Sequence, residues 1–225
     1  MDDLFDAQDL GFDFSGDLMG SEARKQTKGE RGIVSHRGGE RHFERKATSD
    51  LALSQALGWH FEEGDCYHCF SFGDVDMVSY LKHVMRQEHV SYLACATWVV
   101  SGTDVRDFME WNRLGYIDRI DMFVGEIVEG SYPDTWVDLK ALRDQCGGRL
   151  VKFRNHAKVM AIKGDEFDCL IESSANFNTN PRSEDTVLTV GTELVDWYIE
   201  LLGGVNPFNL EPGADPYQVG GEAEE

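Results

Sequence analysis

His156 and Lys158 stand two residues apart in an otherwise apolar run, Arg154-Asn155-His156-Ala157-Lys158-Val159-Met160-Ala161-Ile162. In an extended chain, alternate side chains share a face, so an imidazole and an ammonium would project side by side. Two cationic groups in that arrangement repel unless an anion lies between them, and a phosphate would fill the place. A second pair follows the turn Lys163-Gly164-Asp165-Glu166. Ser174 and Asn176, again two apart, end the next extended stretch in Glu172-Ser173-Ser174-Ala175-Asn176. A hairpin through that turn would bring one nucleophile or base, one cation and two neutral hydrogen-bonding groups to a single point. Such a set suits a transferring phosphoryl group, whose charge spreads over its equatorial oxygens.

These residues need a scaffold that holds two neighbouring strand ends together. Residues 66–72 read as a strand. Gly73-Asp74 opens a helix from Val75 to Gln87 with Asp74 as N-cap, and Val90–Thr97 is a nearly continuous apolar strand. Asp104 caps a helix running to about Tyr116, with an apolar stripe of Val105, Phe108, Met109 and Leu114. Ile120–Val124 is a strand, and a helix from Asp134 or Thr135 ends at Gly147-Gly148. Leu150–Ile162 reads as one long extended stretch and Phe167–Ser174 as its hairpin partner. Thr186–Val190 and Thr192–Leu202 supply a further strand and helix. Strand–helix alternation followed by a hairpin predicts an α/β fold, a mixed β-sheet flanked by helices, over residues 51–205.

His156-Ala157-Lys158 followed across a hairpin by Ser173-Ser174-Ala175-Asn176 resembles the phospholipase D superfamily, whose signature is His-x-Lys, then an Asp, then Gly-Ser-x-Asn. The resemblance covers roughly residues 60–202 and implies a phospholipase D-like sheet and a metal-independent phosphodiesterase without cofactor. His156 would attack phosphorus to form a phosphohistidine. Lys158 and Asn176 would hold the phosphate oxygens with help from Ser174, and a following carboxylate would orient the imidazole. Glu184 is the best match for that carboxylate, with Asp185 as the neighbouring alternative. The chain departs from the signature twice: the family Asp falls on Lys163, leaving Asp165 or Asp168 to replace it across a longer turn, and Gly-Ser has become Ser173-Ser174. Only one copy of the motif is present, and the mechanism uses a second His to protonate the leaving group. The resemblance therefore implies a homodimer with a two-fold axis through the site.

Composition narrows the substrate. Net charge is −20, which excludes a surface gripping DNA everywhere. Residues 1–20 hold six Asp and no base, whereas residues 21–46 hold eight Lys/Arg against four Glu. This basic arm could track a nucleic-acid backbone, so DNA or RNA is the expected substrate. An impaired nucleic-acid-binding or assembly protein and a phospholipid phosphodiesterase are the alternatives. Trp98, Ser101 and Arg182 are candidate substrate-binding residues; the other tryptophans read as core or interface. Cys66-Tyr67-His68-Cys69 invites a zinc reading, but residues three apart in a strand diverge and no second ligand pair exists, so buried strand cysteines are expected and no metal. Asp74 and Asp76 are better explained by helix capping than by a metal. Residues 1–50 and 206–225 read as disordered tails. No apolar run is long enough to cross a membrane and no secretory signal is evident, so a cytoplasmic protein with reduced thiols is expected.

Overall fold

The computed structural model describes residues 52–73, 75–178 and 182–205. The expected tails, including the basic arm, and Asp74 lie outside the described residues. Among the described residues seven strands form a mixed sheet: β1 Cys66–Ser71, β2 Val90–Thr97, β3 Ile117–Gly125, β4 Leu150–Phe153, β5 Val159–Gly164, β6 Asp168–Ser173 and β7 Glu184–Val190. The order across the sheet is β1-β7-β6-β5-β2-β3-β4. β2, β3 and β4 run parallel, while β5, β6, β7 and β1 continue the sheet antiparallel. The helices are α1 Met77–Met85, α2 Gly102–Arg113, α3 Val128–Ser131, α4 Pro133–Cys146 and α5 Thr192–Gly203, preceded by a short helical stretch at residues 52–57.

The central strands are mostly apolar because both faces of the sheet are covered. On one face Leu93, Cys95, Met122, Val124, Met160 and Ile162 pack with Met77 and Leu81 of α1, Val105 and Phe108 of α2, and Leu139 and Leu142 of α4. On the other, the smaller Ala94, Ala96, Ala161 and Leu170 meet Val195 and Leu202 of α5. The expected α/β mixed sheet with flanking helices is thus the observed one.

Three helix starts differ from expectation. α1 begins later, at Met77, because the carboxylate of Asp76 accepts from the Ser79 amide and hydroxyl. α2 is capped by Ser101, not Asp104. The Ser101 hydroxyl accepts from the Asp104 amide and donates to its carboxylate, so Asp104 is the fourth residue of a reciprocal cap. α4 starts one residue early, at Pro133, whose missing amide donor costs nothing in a first turn.

The largest change is in Leu150–Ile162, which is two strands and not one. β4 pairs with β3 and β5 with β2, so the two lie on opposite sides of the β2–β3 pair. Residues 154–158 must bridge over the sheet end. The cysteines also differ from expectation: all five are free thiols, but Cys66 is exposed on the edge strand β1 and Cys69 only half-buried. Trp197, expected in the core or at an interface, is 53% exposed and so lies outside the core.

Far from that sheet end, His89 ties three elements together. Its Nε2 lies 3.0 Å from Asp118 at the start of β3, and its Nδ1 lies 3.1 Å from Asp165 in the β5–β6 turn. The Asp118 hydrogen bond, opposed by partial burial and reinforced by both carboxylate charges, raises the His89 pKa above its usual 6.5. A raised folded-state pKa stabilises fully below the unfolded value, and that stability disappears as pH rises through the folded one. His89→Gln should therefore lower the thermal midpoint clearly at about pH 5.5 and have little effect near about pH 9, as measured by calorimetry across that range.

Candidate active site

The C-terminal ends of the parallel strands, Thr97, Gly125 and Phe153, share one sheet edge with the first residues of β5 and β7 and the last of β6. Open α/β sheets commonly place ligand sites at this edge. His156 and Lys158 sit there in the loop between β4 and β5 rather than inside a strand, so alternation along a strand is not what brings them together. The Lys158 Nζ lies 3.0 Å from the His156 Nδ1 and donates to the His156 carbonyl at 2.6 Å. His156 is exposed and Lys158 is only 8% exposed.

Asn155, which the sequence reading passed over, shapes this loop. It is buried, its amide nitrogen donates to the Phe123 carbonyl at 3.0 Å, and its oxygen accepts from the Ala157 amide at 2.9 Å. That second bond closes an Asx turn around His156 and anchors it to β3. An Asn immediately before the His, at a point where an apolar run is interrupted, was the available signal.

The second half-motif docks directly on the first. The Ser173 amide donates to the Lys158 carbonyl at 3.0 Å, extending the β5–β6 ladder by one step. The Ser173 side chain, which stands where the signature has Gly, caps the end of β6: it bonds the Asp185 carbonyl and the Thr186 hydroxyl and receives the Ala175 amide. Ser174 donates its hydroxyl to the Glu184 carboxylate and accepts from the Asp185 amide at 3.0 Å.

Glu184 is buried, and its charge acts on Lys158. Burial pulls the Lys158 ammonium below its ordinary 10.5, and Glu184 works in the opposite direction. The expected carboxylate thus stands with Ser174 and within electrostatic reach of Lys158. Asp185 is exposed and contributes backbone groups.

Asn176 lies between buried Ala175 and Phe177, and its side-chain oxygen is buried with no hydrogen-bond partner. Its loop is fixed across the end of β2, where Phe177 donates to the Thr97 hydroxyl and accepts from the Ser101 amide.

The three candidate substrate contacts fare differently. The Trp98 ring lies 5.3 Å from the His156 ring at 41°, so it touches the imidazole itself. The Ser101 hydroxyl is committed to the α2 cap on both its donor and acceptor sides. Arg182 is exposed just before β7. Of the two replacements for the signature Asp, Asp168 pairs with Lys163 at 2.7 Å and Asp165 with His89. Both lie at the end of β5 away from His156. Among the described residues no cluster of three or more potential metal ligands occurs.

No family model matches the chain, and no curated protein does. Among solved structures, a polyphosphate kinase from Porphyromonas gingivalis overlaps 65% of this chain and 27% of its own, with a TM-score of 0.49 and 16% identity. A phosphatidylserine synthase from Haemophilus influenzae Rd KW20 overlaps 61% of this chain and 37% of its own, with a TM-score of 0.41 and 14% identity. The chain therefore spans well under half the length of either.

Because both hydrogen bonds of Asn155 hold the His156 loop, Asn155→Ala leaves a buried carbonyl and a loop amide unpaired. It should cost about 1–3 kcal/mol in chemical denaturation. Asn155→Asp, which keeps the acceptor but loses the donor, should fall between Ala and wild type.

Proposed function

We propose that this chain is a metal-independent phosphodiesterase of the phospholipase D type that acts on nucleic acid at a site shared between two copies. The observation that carries the reading is the contact between the His156 imidazole and the nearly buried Lys158 ammonium, beside a Ser174 hydroxyl bound to the buried Glu184 carboxylate. A buried lysine beside a histidine serves no packing purpose that an apolar residue would not serve better. Both groups become useful when a phosphate oxygen accepts the ammonium's hydrogen bonds.

In this reading a phosphate draws Lys158 off the His156 Nδ1, and the exposed ring attacks phosphorus with a nitrogen lone pair. A P–N bond forms as the P–O bond to the leaving group breaks. The leaving oxygen takes a proton from the His156 of the second copy. Water, deprotonated by that same histidine, then attacks phosphorus, breaks the P–N bond and returns His156. Asn176, with its amide turned to present its nitrogen, and Lys158 hold the equatorial oxygens. Glu184 keeps Ser174 in place and supports the charge of Lys158. Residues 52–205 carry 13 Lys/Arg against 25 Asp/Glu, so the folded part is acidic. Backbone attraction for nucleic acid has to come from the basic segment 24–46 and the site itself.

The purified protein should cleave labelled single-stranded DNA or RNA in EDTA, and His156→Ala should lower the rate roughly a thousand-fold or more. It should sediment as a dimer. Binding without cleavage between about pH 5 and pH 8, where histidines titrate, would identify a binding or assembly protein instead. Cleavage of phospholipid vesicles but not of nucleic acid would move the substrate to lipid.

The pH profile gives a further test. Lys158 must be charged to hold phosphate, so activity falls as pH rises through its pKa, which burial has lowered. Glu184→Gln removes the charge that opposes this lowering. The alkaline limb of the rate profile should move toward lower pH, while Glu184→Asp should keep most of the wild-type limb.

A further inference from the structure

We infer that Trp98 is a positioning residue for the His156 imidazole, not a substrate contact, and that Gly125 is the residue that lets it act; this rests on the assignment of His156 as nucleophile.

The imidazole is gripped from two sides. Lys158 approaches its Nδ1 edge at 3.0 Å, and the indole of Trp98 lies across the ring at 5.3 Å between centroids. An exposed histidine would otherwise sample several rotamers. With one edge held by an ammonium and one side blocked by an indole, the ring keeps a single orientation, and a phosphate meets its Nδ1 lone pair as it draws the ammonium away. The ammonium is withdrawn when it turns to phosphate, so the indole is the contact that persists through the reaction.

The indole reaches this position because β3 has no side chain beneath it. A Cβ at Gly125 would stand 2.5 Å from the Trp98 carbonyl oxygen and 2.6 Å from the indole Cδ1, distances that real Cβ atoms do not adopt. The Gly125 amide donates to that same carbonyl at 3.2 Å, fixing the backbone of Trp98 against the last residue of β3. Here the requirement for glycine is steric, since the contact is with backbone as well as ring. β3 also carries Phe123, whose carbonyl anchors Asn155. The same strand end thus places the histidine loop through Phe123 and the ring that flanks the histidine through Gly125.

A base-stacking role for Trp98 predicts a different outcome from a positioning role. Positioning acts on the attack geometry, and small misplacements of a reacting group cost up to about a hundred-fold in rate. The test uses the full-length protein, bis(p-nitrophenyl) phosphate as a diester whose aromatic rings can stack on an indole as a base would, and proton NMR of the His156 ring, which lies in the ring current of the indole. Trp98→Leu should lower kcat roughly 10- to 100-fold with KM within about three-fold, and should shift the His156 Cε1 proton. Trp98→Phe, which keeps an aromatic ring, should restore most of both. Gly125→Ala should move the same resonance and lower kcat in the same direction.

A rise in KM at unchanged kcat in Trp98→Leu overturns the inference, and so does a His156 resonance that does not move. If Gly125→Ala does not fold, the two Trp98 variants decide by themselves. Absence of turnover in the wild-type protein would defeat the assignment of His156 as nucleophile. The resonance would then report separately on whether Trp98 holds the ring.

Discussion

The site depends on one ammonium held in poor solvent beside an imidazole. At 3.0 Å two full positive charges would repel by about 5 kcal/mol at an effective dielectric near 20, and by less where water reaches the exposed face of His156. At that distance the two groups cannot both carry a full charge cheaply. In the function proposed above, a phosphate would supply the negative charge for Lys158 and release the ring. The neighbouring groups follow from this constraint. Glu184 is buried where its charge supports the ammonium, and Ser174 and the Asp185 backbone are bonded so that the carboxylate and its loop keep their place.

Sheet topology turns that local constraint into a position. β4 and β5 are consecutive in the chain but sit on opposite sides of β2 and β3, so the segment between them crosses the C-terminal ends of the parallel strands. A crossing segment cannot use ladder hydrogen bonds, and its polar groups must find other partners. Asn155 supplies them. His156 and Lys158 stand on this crossing, which carries side chains over the sheet end beside β2 without committing them to the core. Two strands further along, the first residue of β7 brings Glu184 to the same edge, and the ladder step from Ser173 to Lys158 sets its distance.

Much of this was legible in the residues. β2 was read from Val90 to Thr97 and is observed with those limits, because a fully buried strand leaves an uninterrupted apolar signal. The β5–β6 hairpin and the convergence of the two half-motifs followed from a short turn between two apolar runs. The break at residues 154–158 was not legible. Leu150–Phe153 and Val159–Ile162 are both strand-like, and only their partners, β3 and β2, tell them apart. The same holds for the α2 cap: Ser101 and Asp104 are each good caps, and the choice depends on where β2 delivers the chain. Trp98 was picked out by its place at the end of an apolar strand, but its contact with His156 and the part of Gly125 in it were not legible, since they lie in a contact between segments distant in sequence.

The reading of a shared site gains support from counting charges at the phosphorus. A phosphodiester carries one negative charge at rest, and attack by a neutral nucleophile places further negative charge on the oxygens of the transition state. Each chain offers a single lysine and a single histidine at the motif. One copy can match the resting diester but has no second cation for the added charge and no second imidazole for the leaving oxygen. Two copies related by a two-fold axis double both without a new residue type. The described part of the fold is acidic overall, so few further cations are at hand there to make up the difference. If the proposed site is shared, the charge of the transition state sets how many ammonium groups must meet at one phosphorus, and the motif provides one per copy.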